Sequence, residues 1–317
     1  MDAAKGEEME QPGSVTRLIQ LADGRDLAWL EVGDPRGTPV MAFHGAPGRG
    51  MEFALHHATA LRCGVRLIAV DRPGYGHSSH QPNRCLSDWP GDISQLGDHL
   101  GLERFGVMGH SAGGPYALAC ARFLSNRLFG CGVLSGLAPP ARASLTEGML
   151  LSNRIQSAIY RHWPHELDWI AVSFWALTVP VLAPLLRRSR QHAERDVDRM
   201  MRRMLPSCDL AVVSRPEVRR MLVAEAVTFK CVTLRASVQD MAICMRDWDF
   251  ELAEIEMPVQ VWQGDLDRNV PISHGHHQAE AIPRATLHLC RGEGHWLLVD
   301  HMAEVLTALA SEHGGEE

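Results

Sequence analysis

The sequence predicts an α/β fold, a mostly parallel sheet covered by helices and interrupted by a helical insertion. Three observations carry this. Short unbroken apolar runs recur along the chain, as strands buried on both faces of a sheet require. Stretches with helical periodicity lie between several of them, and strand-helix alternation is the mark of parallel pairing. The alternation stops at about Pro139 and resumes at about Pro258, with only helical patterns between. A chain of 317 residues, 45% hydrophobic, has enough material to bury one large core of this kind.

Taken in order, residues 1–13 are polar and read as a disordered tail. "TRLIQLADG" and "RDLAWLEVGDP" read as two strands joined at Asp23-Gly24, a dipeptide suited to a hairpin turn. The buried strands follow as "PVMAF", "VRLIAV", "FGVMG", "FGCGVLSG", "PVQVWQG" and "ATLHLC". Helices are expected at "LSDWPGDISQLGDHLG", "GGPYALACARFLS", "ISHGHHQAEAIP" and "LVDHMAEVLTALASE". The predicted organisation is a core of residues 14–139 and 258–317 with a helical cap at 140–257. Insertions of this kind usually sit over the sheet edge where ligands bind.

Within the insertion, residues 169–186, "WIAVSFWALTVPVLAPLL", form a nearly uncharged apolar run. Pro180 and Pro184 favour a broken, pocket-lining helix. Peripheral contact with a membrane is the second expectation for this run. The net charge of −7, without a long basic run, excludes nucleic acid as an expected partner. The cluster of Arg187, Arg188 and Arg190 reads as a solvated helix end. Eight cysteines without a C-x-x-C pair, behind a polar N-terminus, suit a reduced cytoplasmic chain with free thiols. His274, His276 and His277 lack cysteine or carboxylate companions at ligand spacing. No metal and no cofactor are therefore expected, and the oligomeric state is not encoded in any motif.

The stretch "GVMGHSAGG" carries the chemistry, since its strand ends in Gly109-His110-Ser111-Ala112-Gly113. A tight strand-to-helix turn strains the serine backbone and lifts its hydroxyl clear, while residues two before and two after come too close for side chains. The helix that follows points free N–H groups at the same spot. A hydroxyl is a poor nucleophile, so a histidine base and an orienting carboxylate are needed. "LCRGEGHW" supplies His295 and "VWQGDLDRNVP" supplies Asp267, with Asp265 as a competitor. The loop "AFHGAPGRG" can supply the N–H of Ala46 which, with that of Ala112, would form an oxyanion hole. His44 and Gly45 support that loop, and Gly109, His110 and Gly113 support the turn. Asp71, in "VDRPGYG", reads as a loop-holding residue, and Glu293 as a loop carboxylate.

The ordered set "HGAPG", "DRPGYGHS", "GHSAGG", "GDLDRNVP" and "GEGHW" resembles the α/β-hydrolase-fold serine hydrolases of the capped kind, in the esterase and proline-iminopeptidase-like branch. The resemblance implies an eight-stranded sheet and a helical lid. It puts the nucleophile on Ser111, the base on His295 and, by the family's spacing, the acid on Asp267. Serine at the turn argues against the epoxide and haloalkane hydrolases, which use aspartate there. The iminopeptidase branch has glycine where this chain has Ala46, and an aminopeptidase needs a carboxylate cluster. The insertion offers only scattered acids such as Glu147, Glu166 and Asp168. Leu150, Leu151, Ile155, Phe174 and Trp175 favour an uncharged acyl substrate. The expected function is hydrolysis of a carboxylic ester. The alternatives are aminopeptidase, thioesterase or carbon-carbon bond hydrolase on the same residues, or a ligand receptor of the same fold with slow turnover.

Overall fold

A computed structural model describes residues 15–139, 143–162, 199, 201–202, 205–228 and 231–314. Its eight strands are β1 (Arg17–Gln20), β2 (Asp26–Gly33), β3 (Thr38–Phe43), β4 (Val65–Val70), β5 (Phe105–His110), β6 (Leu128–Leu134), β7 (Val259–Gly264) and β8 (Ala285–Cys290). They form one sheet in the order β1-β2-β4-β3-β5-β6-β7-β8. β2 runs antiparallel to both of its neighbours, and every other pair beyond it is parallel. The β1–β2 connection is the turn expected at Asp23-Gly24: Gly24 has φ +85°, a left-handed value suited to glycine.

Alternate residues along β3 serve opposite cores, as the two-residue period of a strand requires. Met41 and Phe43 join one apolar cluster with Trp89, Ile93 and Tyr116. Val40 and Ala42 join the other with Ala60, Met302, Leu306 and Leu309. The first cluster packs beneath α2 (Trp89–His99) and α3 (Gly114–Phe123). The second packs beneath α1 (His57–Arg62) and the C-terminal helix Leu298–Gly314. The sheet is thus covered on both faces, and β3 to β6 bury almost every side chain, whereas β8, expected as a buried strand, lies at the sheet edge with a neighbour on one side only and buries Cys290 alone.

Two covering elements, the segment Gly50–His56 and α1, have no counterpart in the expected set. Residues Gly50–His56 form a 3-10 helix that runs directly into α1. A three-residue turn shifts the apolar period away from 3.6, and two adjacent histidines dilute the stripe that remains.

Between β6 and β7 the described residues contain helices and no strand. These helices are α4 (Leu151–His162), α5 (Ser207–Val213), α6 (Pro216–Thr228) and α7 (Cys231–Cys244), before α8 (Ile272–Ala281) resumes the alternation. The apolar run 169–186, the residues Arg187, Arg188 and Arg190, and the tail 1–13 lie outside the described residues. Among the described residues no helix is long and apolar enough to cross a membrane. Cys63, Cys85, Cys120, Cys131, Cys208, Cys244 and Cys290 are free, and Cys120, Cys131, Cys244 and Cys290 are buried.

Three carboxylates from the helices between β6 and β7 reach the residues around the sheet. Asp209 of α5 accepts the backbone N–H of Trp296 at 2.9 Å. Glu225 of α6 pairs with Arg49 at 2.9 Å. Asp240 of α7 is buried between Arg72 and Arg84, paired with both.

Candidate active site

At the end of β5 the chain turns sharply, with Ser111 at φ +55°. A left-handed backbone at a non-glycine residue is strained and persists only where its surroundings impose it. The neighbours show what imposes it. A side-chain carbon on Gly109 would overlap the Gly113 carbonyl, and one on Gly113 would overlap the Phe43 carbonyl of the adjacent strand. Glycine at both positions lets the turn close against β3. Ser111 is left partly exposed while Ala112 behind it is buried.

The loops after β7 and β8 bring the other two side chains to the same edge. His295 Nδ1–H donates to Asp267 Oδ2 at 2.8 Å, and its Nε2 accepts from the Ser111 hydroxyl at 3.0 Å. Both His295 and Asp267 are buried. The second oxygen of Asp267 accepts the backbone N–H groups of Asn269 at 2.8 Å and Val270 at 2.9 Å. Those two bonds fix the carboxylate's rotation, so the oxygen that faces the imidazole has no freedom to turn away. Asp265 points elsewhere: its carboxylate accepts the Gly292 N–H at 2.7 Å.

Burial alone would lower the His295 pKa. The Asp267 carboxylate, by charge and by hydrogen bond, with Asp209 and Glu52 further off, outweighs that and raises it above the usual histidine value. Asp209 comes so close to this loop that a side chain on Gly294 would overlap its carboxylate.

Around the expected oxyanion loop, each supporting residue has a definite partner. The Gly45 N–H donates to Glu52 at 3.0 Å, and the Gly45 carbonyl accepts His44 Nδ1–H at 2.7 Å. His44 Nε2 accepts the Arg72 N–H at 3.1 Å, which makes its ring a neutral spacer. Burial and the Arg72 charge push its pKa down to about 3, consistent with that state. His110 pairs with Glu52 through Nδ1, and its Nε2 lies 3.2 Å from the His295 carbonyl. Burial opposes charge on Glu52, but His110 and the Gly45 N–H outweigh it and hold the carboxyl down at about 2. Asp71 holds the loop through the Gly50 N–H at 2.7 Å. No motif marks Glu52 in the sequence, and its partner His110 lies 58 residues away.

A cavity of about 490 Å³ opens above Ser111 and His295, with Ala46 in its wall. Four methionines, Met201, Met221, Met241 and Met245, and several leucines make most of its surface apolar. Leu150 contributes as expected. Leu151 and Ile155 do not, because they are exposed, at 71% and 52%, on the other side of α4. Glu147 is exposed and outside the wall, while Glu166, Asp168, Phe174 and Trp175 lie outside the described residues. Two acids do reach the wall, Glu52 and Glu225, and burial pushes the Glu225 carboxyl up to about 7 against the pull of Arg49.

His274 is accounted for structurally: its Nδ1 accepts the Ala138 N–H at 2.9 Å and its Nε2–H donates to the Leu145 carbonyl at 3.0 Å. His276 is exposed and His277 half-buried, so the three face different ways. Among the described residues, Cys290, Glu293 and His301 stand close enough to hold a metal ion. Both His301 nitrogens are already taken by Glu293 and Glu304, at 2.8 and 3.0 Å.

A sheet of this order, with a strained serine, a carboxylate and a buried histidine on the loops after β5, β7 and β8, defines a class of hydrolytic proteins. Residues 40–308 match the alpha/beta hydrolase family, and the chain belongs to it. It is 26% identical over 306 residues to 2-hydroxy-6-oxononadienedioate/2-hydroxy-6-oxononatrienedioate hydrolase 2 of Pseudomonas putida, covering 91% of this chain and 92% of that protein. It is 34% identical over 110 residues to a proline iminopeptidase of Xanthomonas citri, covering 32% of this chain and 34% of that one. Matches of the second kind thus span about a third of the relative's length. Among solved structures, a thermophilic esterase from Thermogutta terrifontis superposes with a TM-score of 0.62 at 21% identity, over 94% of this chain and 97% of that one.

Proposed function

We propose that this chain is a serine hydrolase that cleaves a carboxylic ester, or a related acyl bond, of a small, largely apolar substrate. The observation that carries the reading is the hydrogen-bonded sequence Asp267, His295, Ser111 opening into an apolar cavity. His295 Nε2 takes the serine proton as Oγ adds to the acyl carbon. The carbonyl electron pair moves onto its oxygen, which the N–H groups of Ala46 and Ala112 would receive. Collapse expels the alcohol, protonated by His295, and leaves the acyl group on Ser111. Water, deprotonated by the same imidazole, then releases the acid. The helices of 140–257 would act as the cap that supplies the apolar wall.

Glu225 favours a second reading, an aminopeptidase that recognises a substrate amino group through a carboxylate in the cavity wall. Its pairing with Arg49 leaves that carboxylate already compensated, which weighs toward the ester. A fluorophosphonate probe, followed by p-nitrophenyl esters of increasing chain length, thioesters and aminoacyl p-nitroanilides, tests both. Labelling lost in Ser111→Ala and multiple turnover on esters are expected. Labelling that survives the substitution overturns the nucleophile, and a single turnover with a ligand-dependent melting shift would indicate a receptor instead.

A further inference from the structure

Arg72, Arg84 and Asp240 bring two positive charges and one negative into a region without exposure to solvent. The side chains of Arg72 and Asp240 are 0% exposed and that of Arg84 is 1% exposed. The Arg72 guanidinium is packed between the rings of Tyr75 and Tyr116, 5.0 and 4.7 Å from their centroids. A buried pair already costs desolvation, and a second cation on the same carboxylate adds to it. Asp240 is further satisfied by the Tyr116 hydroxyl at 2.7 Å. The trio therefore holds one more cation than its geometry needs for pairing.

The place where that cation points gives it a use. Arg72 Nη2–H donates to the Gly45 carbonyl at 3.1 Å, on the same oxygen that receives His44 Nδ1–H at 2.7 Å. That carbonyl belongs to the amide joining Gly45 to Ala46. The amide is trans and planar, so its N–H is directed opposite to its C=O. The Ala46 N–H is thus aimed away from Arg72 and His44, and among the described residues no group accepts it. Ala46 itself stands in the cavity wall with Ser111. Donors on a carbonyl strengthen the N–H across the same amide, and a charge acts strongly in a region that water does not reach.

We infer that Arg72 is a positioning residue for the oxyanion: held by Asp240, its guanidinium fixes and polarises the Gly45–Ala46 amide, so that the Ala46 N–H meets negative charge on the substrate oxygen pre-aimed. The inference rests on the reading of Ser111 as nucleophile. Its distinguishing property is that it acts on the tetrahedral state and leaves ground-state binding alone. The insertion takes part through Asp240, which is delivered by α7 and holds the guanidinium in place.

The test compares wild type, Arg72→Met and Arg72→Lys on p-nitrophenyl butyrate and on an alkyl trifluoromethyl ketone, which forms a reversible tetrahedral adduct with the serine. For Arg72→Met, kcat should fall by about 10- to 100-fold, below the loss typical of removing an oxyanion donor outright, with KM changed by less than about twofold. Affinity for the ketone should fall by the same factor, and Arg72→Lys should recover part of both. Arg72→Met still leaves Arg84 paired with Asp240. Should it nevertheless fail to fold, Arg84→Met cancels the excess charge while leaving the Gly45 contact, and ketone affinity should again fall more than KM rises. A folded Arg72→Met, or Arg84→Met in its stead, that binds the ketone as wild type does overturns the inference. So does a loss confined to KM. If Ser111-dependent fluorophosphonate labelling persists in that variant, the hydrolase reading stands without it; if labelling survives Ser111→Ala, both fall.

Discussion

Replacing Asp267 by asparagine keeps the shape of the side chain and changes one atom, and the structure dictates where that atom goes. Oδ1 accepts two backbone N–H groups, from Asn269 and Val270, so the amide oxygen of the substituted side chain must take that place. The NH₂ group is then left facing His295 Nδ1, where a carboxylate oxygen had accepted a proton at 2.8 Å. Two donors cannot face each other, so the ring switches tautomer and carries its proton on Nε2. In that state it cannot accept the Ser111 proton. A change of this kind costs on the order of 10⁴ in kcat, or about 5 kcal/mol of transition-state stabilisation. The assay is kcat/KM on p-nitrophenyl butyrate, with a thermal melt to establish that the variant folds. Asp265→Asn is the companion, expected within about twofold of wild type because its carboxylate only receives the Gly292 N–H. A folded Asp267→Asn retaining more than about a tenth of the activity refutes the tautomer argument. A large loss in Asp265→Asn instead would move the acid to that residue.

The raised pKa of His295 sets a sign for the pH profile: the base must be neutral to act, so kcat/KM should fall with decreasing pH through a midpoint above 6.5, and a midpoint below it would contradict the electrostatics described. Buried neutral histidines set another. His44 is held down at about 3 and His274 at about 4, mainly by burial, whereas both take up protons near 6.5 when unfolded, so melting temperature should decline as pH drops from 6.5 toward 4. Gly113→Ala should abolish folding or activity, because its new carbon meets the Phe43 backbone. Gly91→Ala, in helix α2 with open space around it, should instead stabilise by about 0.5–1 kcal/mol in chemical denaturation. Met241→Trp should fill part of the cavity, raising KM for octanoyl esters while sparing acetyl esters, as a chain-length series would show.

Much of the site was legible because its logic is local. Gly109 and Gly113 are explained by what touches them within the turn, and the serine between them follows from the same turn. Chain order with parallel strands brings His295 and the Asp265–Asp267 loop to the same edge, while the choice of Asp267 over Asp265 is what the family resemblance implies. What the sequence concealed is pairing across long separations: Arg72 with Asp240, Glu52 with His110, Glu225 with Arg49. Each partner alone looks like an ordinary surface charge, and nothing near it marks it as buried. The acids expected in the insertion, Glu147, Glu166 and Asp168, all precede the apolar run, whereas Glu225 comes from α6. Leu151 and Ile155 are apolar and so suit a wall, whereas α4 turns them outward and the wall takes Asn153 from α4 and Leu150 from just ahead of it.

The three acids on the helices between β6 and β7 make that stretch a poor candidate for exchange between relatives. A chimera that swapped residues 140–257 for a foreign segment would leave Arg72 and Arg84 without Asp240, Arg49 without Glu225, and the Trp296 N–H without Asp209. Gly294 would face a gap where a carboxylate had been. Substrate range in this lineage is therefore better altered by point changes in the methionine wall than by grafting, unless the graft carries its own aspartates and glutamate at matching positions.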